Sequence, residues 1–321
     1  MKLQKSLRTV NLTFSYLLFV LISLVVFYPL VYVVSAAFAP GNSIANLSIV
    51  PFGDGHTVRV FEGLNIKVGN GFTLDHFRYL FTKTDYWMWF KNTLFVAIWT
   101  TALTVIISAL SAYVFSRFRF MFKHTLLMSL LVLQIFPSFV GMIAIYVILM
   151  RIGGLDTLWG LVLIYVSGNI PYNTWMVKSY MDTVSKNLDE AARIDGASHF
   201  RTFATIILPV TRPIITFLAV SSFTGPWMDF IFPKMILRSP EKQTLALGLF
   251  SFVTDKKNEF TNFAAGALVV AVPFVIFFLF TQKAMMMSMS TAAVKEEGGI
   301  MKCANDCALH FGIVSTRVDL S

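Results

Sequence analysis

Residues 187–209 read NLDEAARIDGASHFRTFATIILP, a helix-forming stretch set between two long apolar runs. Asn187 stands where an N-cap stands, with Glu190 three positions on in a variant of the capping box. Asp189 and Glu190 then occupy the first turn, where the positive end of a helix favours acid. Leu188, Ala191, Ala192 and Asp195 fall on one face at i, i+3, i+4 and i+7. Gly196 follows where a left-handed C-terminal cap calls for glycine. Ser198 is placed to cap a second short helix, whose Phe200, Phe203, Ala204 and Ile207 form an apolar stripe that Pro209 is expected to end. The pattern predicts a helix, a glycine corner and a helix. Its alanines leave a face without large side chains, which lets another surface approach closely.

Outward from this hairpin the chain is an apolar one. Of 321 residues, 56% are hydrophobic and 13% charged, with a mean hydropathy of +0.69, beyond the balance of a water-soluble domain. A bilayer core of about 30 Å asks for roughly 20 apolar residues per helix. Six runs meet that length, at 13–38, 93–115, 125–149, 159–180, 213–232 and 263–282. The expected fold class is therefore an all-α membrane protein, with residues 1–12 before a six-span domain, the hairpin in the connection 181–212, and a tail from 283 to 321. The first run follows Lys2, Lys5 and Arg8, and Ser35-Ala36-Ala37 resembles a cleavage site. It is nonetheless longer than the apolar region of about 7–15 residues in a signal peptide, so it is expected to remain as a span.

Lys and Arg set the orientation, because short basic segments stay on the cytoplasmic side. Lys2, Lys5 and Arg8 crowd the N-terminus, and Arg117, Arg119 and Lys123 crowd the turn between the second and third runs. Both termini and the 181–212 connection are therefore expected in the cytoplasm of a cell membrane. Tyr86, Trp87, Trp89, Trp159 and Trp227 then fall at the outer interface, where amphipathic rings settle. On the outer side, 40–91 carries turn residues and an alternating stretch near Thr57–Val60 that suggests a small strand-and-turn cap. Residues 233–262 carry an apolar patch over 244–252, which either meets a partner or folds back on its own helices.

Several functions are excluded. The net charge of +9 is scattered through loops rather than gathered on one surface, which argues against nucleic acid. Cys303, Cys307 and His310 lack a fourth ligand for zinc. No G-x-x-x-x-G-K-[ST] cradle is present, so the chain is expected to bind no cofactor and hydrolyse no ATP itself. The runs hold no ionisable residue apart from Lys178 and Asp229 at their edges, which disfavours ion coupling. A membrane enzyme would need convergent ionisable or metal-ligating residues, and the five histidines are scattered. No catalytic residue and no metal ligand is expected.

Polar and helix-breaking residues nevertheless cluster within the runs: Gln134, Pro137 and Ser138; Ser167, Gly168, Asn169, Pro171 and Asn173; Ser221, Ser222, Thr224 and Gly225. Tyr165, Tyr172 and Trp175 add rings beside them. Such groups should face protein or a water-filled cavity, and rings beside amides and hydroxyls suit a sugar. Gln134, Asn169, Tyr172, Asn173, Ser221 and Ser222 are the candidate pathway residues. Small and polar residues serve helix packing equally well.

Glu190-Ala191-Ala192, Gly196, Ile206 and Leu208-Pro209, at these spacings, resemble the cytoplasmic "EAA" loop of permease subunits of binding-protein-dependent ABC importers. Asn92-Thr93-Leu94, Ala112 to Arg117, Gln134-Ile135-Phe136-Pro137 and Thr291 to Lys295 look similar to its carbohydrate branch, in particular the shorter, MalG-like subunit of maltose-type systems. The likeness covers most of residues 12–295. It implies a type I importer permease carrying a sugar, with maltose or malto-oligosaccharide first and another sugar or a glycerol phosphate conjugate as the alternative. It also implies a second, MalF-like permease, an ABC ATPase homodimer that consumes the ATP, and an extracellular sugar-binding protein. Glu190, Ala191, Ala192, Gly196, Ile206, Leu208 and Pro209 would then dock the ATPase. Thr244, Leu245, Gly248 and Leu249 would lie where the family's outer loop meets the binding protein. The stretch from Met301 to Ser321 departs from the family, whose members usually end near Lys295, and is assigned no role.

Overall fold

A computed structural model of the chain describes residues 2–41, 56–61, 64–68, 72–135, 138–254, 257–279 and 281–282. In chain order the elements are α1 (Lys2–Phe38), β1 (His56–Phe61), β2 (Leu64–Val68), α2 (Asp75–Lys83), α3 (Tyr86–Arg117), α4 (Lys123–Ile135), α5 (Ser138–Arg151) and α6 (Leu158–Met181). They continue with α7 (Asn187–Ile194), α8 (His199–Thr202), a π-helical turn (Phe203–Ile207), α9 (Leu208–Val210), α10 (Arg212–Met228), α11 (Ile231–Ile236), a 3₁₀ turn (Pro240–Lys242) and α12 (Leu245–Phe250). The short strands β3 (Val253–Thr254) and β4 (Lys257–Asn258) precede the last helix, α13 (Phe260–Leu279). Phe136, Pro137, the Thr291–Lys295 stretch, Cys303, Cys307 and His310 lie outside the described residues.

Among the described residues the architecture is helical, relieved by two small hairpins. The expected cap is present as β1 and β2, antiparallel with Val58 opposite Ile66. Leu12–Phe38, Tyr86–Arg117 and Phe260–Leu279 are each long and apolar enough to cross a membrane. Lys123–Ile135 with Val140–Arg151, and His199–Val210 with Arg212–Met228, pass the same test only as pairs. At 24 residues α6 is also long enough, about 36 Å at 1.5 Å per residue, although Asn169, Pro171 and Asn173 make it more polar.

Two expected boundaries move. The third run holds two described helices, α4 ending at Ile135 and α5 beginning at Ser138. The fifth ends at Met228 rather than at 232, because the Asp229 carboxylate accepts the Ile231 amide at 2.8 Å and starts α11. Three of the aromatic anchors are packing residues: Tyr86 and Trp89 are buried against Phe81 and Phe252, and Trp227 against Phe90 and Phe274, whereas Trp87 and Trp159 are exposed.

The chain forms two compact units. The first comprises 1–95, 154–158 and 227–276. In it, the Ser35-Ala36-Ala37 stretch that resembles a cleavage site is buried, and its alanines pack on Ala264 and Ala265 of α13, a close backbone approach that only small side chains permit. Buried His76 ties three elements together, its Nδ1 2.7 Å from Asn262 Oδ1 and its Nε2 2.8 Å from the Ala39 carbonyl. The start of α3 holds down the segment before α12. The Asn92 amide donates to the carbonyls of Glu241 and Gln243 at 2.8 and 2.9 Å, and the Thr93 hydroxyl accepts the Leu245 amide at 2.8 Å.

The second unit comprises 96–153, 159–226 and 277–321. Its core is assembled from one face of each of four elements: Ala109, Ala112 and Tyr113 of α3, Val177 and Met181 of α6, Phe203 and Ile207 of the π turn, and Ile214 and Leu218 of α10. Along α3 the inward face carries Thr100, Thr104, Ser108 and Ala112 at four-residue steps, a small-residue seam suited to helix packing in lipid.

Candidate functional site

The connection 181–212 folds as two short helices about a glycine corner. Helix α7 begins at Asn187, which is therefore its first helical residue and not its cap. The capping role passes to Ser185, whose hydroxyl accepts the Asn187 amide at 3.3 Å. At the other end Gly196 has φ +81°, the left-handed conformation expected there. The Gly196 amide donates to the Arg193 carbonyl at 3.0 Å and the Ala197 amide to the Ala192 carbonyl at 2.9 Å, the paired bonds of a Schellman motif. Ser198 caps α8 as expected, its hydroxyl accepting the Arg201 amide at 3.3 Å.

Pro209 does not end the second helix. Helical backbone continues to Val210, with Pro209 inside α9, and the turn widens to π geometry over Phe203–Ile207. Proline brings no amide hydrogen and crowds the carbonyl four residues earlier, and a widened turn makes room for the ring. The chain turns at Thr211, whose amide and hydroxyl both donate to the Ile207 carbonyl at 2.9 and 2.8 Å. Beyond it α10 departs at 82° to the 199–210 segment, so the second short helix lies across the direction of the span.

Side-chain exposure divides the residues expected to dock the ATPase. Glu190, Ala191, Gly196 and Pro209 are exposed, Ile206 and Leu208 are half-buried, and Ala192 is buried against its own chain. Phe200, placed in the apolar stripe, is 71% exposed, whereas Phe203 and Ile207 of the same stripe are buried. Ile194, at the end of α7, is 87% exposed. These two apolar side chains flank the Gly196 corner, and of the two only Ile194 was not singled out from the sequence.

Beneath the hairpin lies an ion pair that local patterns cannot reveal. Arg117 Nε, at the end of α3, stands 2.8 Å from Asp189 Oδ2, with side chains only 6% and 13% exposed. The Tyr113 hydroxyl donates to Asp189 Oδ1 at 3.4 Å. A cavity of about 250 Å³ opens beside the pair, lined in part by Arg119, Lys186, Glu190 and Arg193.

The candidate pathway residues are only partly brought together. Gln134 is exposed and donates to the Gly168 carbonyl at 3.1 Å, which joins α4 to α6 beside Asn169. Tyr172 and Ser221 are exposed. Asn173 and Ser222 are buried, and Asn173 donates its side-chain amide to the Asn169 carbonyl at 2.8 Å. The four candidate binding-protein contacts lie on one short helix, α12, and at its start. Thr244, Leu245, Gly248 and Leu249 are all buried, because that side of α12 packs on the first turns of α3 through Thr93 and Trp89. Phe250 and Ser251 are the exposed residues next to them. Asp156, unremarked in the sequence, anchors the preceding segment by accepting the amides of Arg238 and Ser239 at 2.8 and 2.9 Å. Those bonds, with the Ser239 hydroxyl foremost, hold its carboxyl well below the usual carboxylate range.

Residues 105–284 match the family described as binding-protein-dependent transport system inner membrane component. The chain belongs to this family. It is 39% identical over 289 residues to the maltodextrin transport system permease protein MdxG of Bacillus subtilis (strain 168), covering 90% of this chain and 98% of that one. Identity is 37% over 292 residues to the galactooligosaccharides transport system permease protein GanQ of the same organism, covering 90% and 97%. In fold it is similar to a chain of a bacterial ABC transporter involved in the import of alginate, with TM-score 0.69 at 19% identity over 86% of this chain and 96% of that one. The fold is that of an ABC importer permease, and the chain is a membrane-spanning transport subunit, not itself an enzyme.

Proposed function

We propose that this chain forms half of the translocation pathway of an ATP-driven bacterial oligosaccharide importer, with malto-oligosaccharides as cargo. The observation that carries the cargo is the 39% identity to a maltodextrin permease along nearly the whole of both chains. A second reading, galacto-oligosaccharides, is favoured by the 37% identity to the galactooligosaccharide permease. In this reading six spans cross the cell membrane with lipid around them and both termini in the cytoplasm. The hairpin 187–209 docks an ABC ATPase homodimer that supplies the energy. A second, MalF-like permease completes the pathway, and an extracellular sugar-binding protein delivers the sugar. A solved alginate importer in the same fold carries such a periplasmic protein.

Docking through the hairpin is supported by its exposed Glu190 and Ala191 on one side of the Gly196 corner and Phe200 on the other. The deciding experiment is uptake of labelled maltotriose and of a labelled galacto-oligosaccharide by cells expressing the complete importer. Maltotriose uptake that unlabelled galacto-oligosaccharide does not compete supports the first cargo, and the reverse supports the second. For docking, Glu190→Ala and Gly196→Val are expected to lose copurifying ATPase while still inserting in the membrane. Normal transport by both variants with the ATPase bound refutes the docking role.

A further inference from the structure

Besides its ion pair the Arg117 guanidinium makes hydrogen bonds to backbone carbonyls, and its partners come from three successive parts of the chain. Nη1 donates to the Met181 carbonyl at 3.2 Å, the last residue of α6, where helix carbonyls lack intrahelical partners. Nη2 donates to the Val184 carbonyl at 3.1 Å, in the turn that leads to α7. Nε faces Asp189 in α7 itself, one position before Glu190. A parallel strap runs alongside: the Ser116 hydroxyl donates to Asp182 Oδ1 at 2.7 Å, and Lys178 Nζ lies 2.7 Å from the other oxygen of Asp182. Under both lies apolar packing, with the Tyr113 and Phe203 rings 5.1 Å apart.

We propose that Arg117 is a positioning residue that makes the first coupling helix, the end of α3 and the end of α6 a single moving body, so that displacement of the hairpin reaches the spans undiminished. This rests on the docking role proposed above. A guanidinium suits the task because its planar fork reaches a carboxylate and two carbonyls at once, which a lysine cannot do. The pair is also nearly closed to water, and separating it would leave a desolvated charge without its partner. The alternative arrangement, in which the hairpin swings freely on residues 182–186, would leave that turn without such a brace.

The test uses the assembled importer in proteoliposomes, with sugar uptake, ATP hydrolysis and retained ATPase measured on the same preparations. Arg117→Gln, and independently Asp189→Asn, should retain the ATPase yet lower sugar moved per ATP hydrolysed by about tenfold, the scale of a typical coupling energy. Arg117→Lys should fall between. A purely structural role would reduce uptake and hydrolysis together and leave their ratio unchanged, and that result overturns the proposal. If Arg117→Gln fails to accumulate, the paired Arg117→Cys, Asp189→Cys variant decides. Once cross-linked it should couple better than its reduced form, whereas a cross-link that stops transport and a reductant that restores it would show that the two must separate. Loss of bound ATPase from wild type together with intact uptake would refute the docking role instead.

Discussion

Trp89 lies against Gly248 so closely that a Cβ added at 248 would stand 2.2 Å from the indole Cδ2. That contact seats α12 on the first turns of α3. Gly248→Ala is therefore expected to unseat the helix, at a cost of about 1–3 kcal/mol for an overpacked site. Thermal unfolding of the purified protein, followed by tryptophan emission, measures it. Gly225→Ala is the control, because a Cβ there meets nothing within 4 Å. Equal melting of the two variants would refute the account.

Thr93 makes the same attachment by a hydrogen bond rather than by shape. Its hydroxyl is fully buried and accepts the Leu245 amide at the start of α12, whose own preceding residue, Thr244, makes no side-chain cap. Thr93→Val keeps the volume and removes the acceptor, leaving a buried N–H unpaired at a cost of about 1–3 kcal/mol. Hydrogen exchange at the Leu245 amide should quicken while the α6 amides stay protected. An unchanged rate at Leu245 would show that another group takes over.

Ile194 and Phe200 present apolar side chains to water on either side of Gly196. Side chains so exposed on a monomer contribute little to its folding and often anchor a partner. Ile194→Ser and Phe200→Ser are expected to leave the melting of the permease unchanged and to weaken binding of the ATPase about tenfold each. Equilibrium binding of the detergent-solubilised subunits gives the number, and wild-type affinity in both variants removes these residues from the interface.

What could be read in the sequence was what is decided locally. Gly196 and Ser198 behave as their chemistry requires, because a left-handed corner and an N-cap involve only residues within a few positions. Asn187 was misplaced by that same locality, since the Ser185 hydroxyl, two residues upstream, accepts the Asn187 amide and the helix has already begun there. Burial was legible only as a pattern. Thr244, Leu245, Gly248 and Leu249 form an apolar patch in either event, and whether it meets solvent depends on Trp89 and Thr93, remote in sequence. The Arg117 to Asp189 contact escaped for the same reason: each residue looks like an ordinary charge at a helix end until the fold brings them together.

Asp156 gives the segment 237–243 a pH dependence whose sign can be worked out. It has φ +53° and accepts from Arg238, Ser239 and, through Lys242, a cation. These donors favour the ionised carboxyl in the folded chain, so its pKa lies below the value of about 3.9 that an unfolded aspartate shows. A depressed folded pKa contributes stability that is fully present above the unfolded value and is lost as pH falls through the folded one. Protection of the Arg238 and Ser239 amides against hydrogen exchange, corrected for intrinsic rates, should therefore stay level from neutral pH down to the ordinary carboxylate range and fall only below it. Asp156→Asn, which keeps the shape and removes the charge, should lower that protection already at neutral pH. Loss of protection in the wild type between pH of about 6 and 5, well above the carboxylate range, would place the controlling group elsewhere.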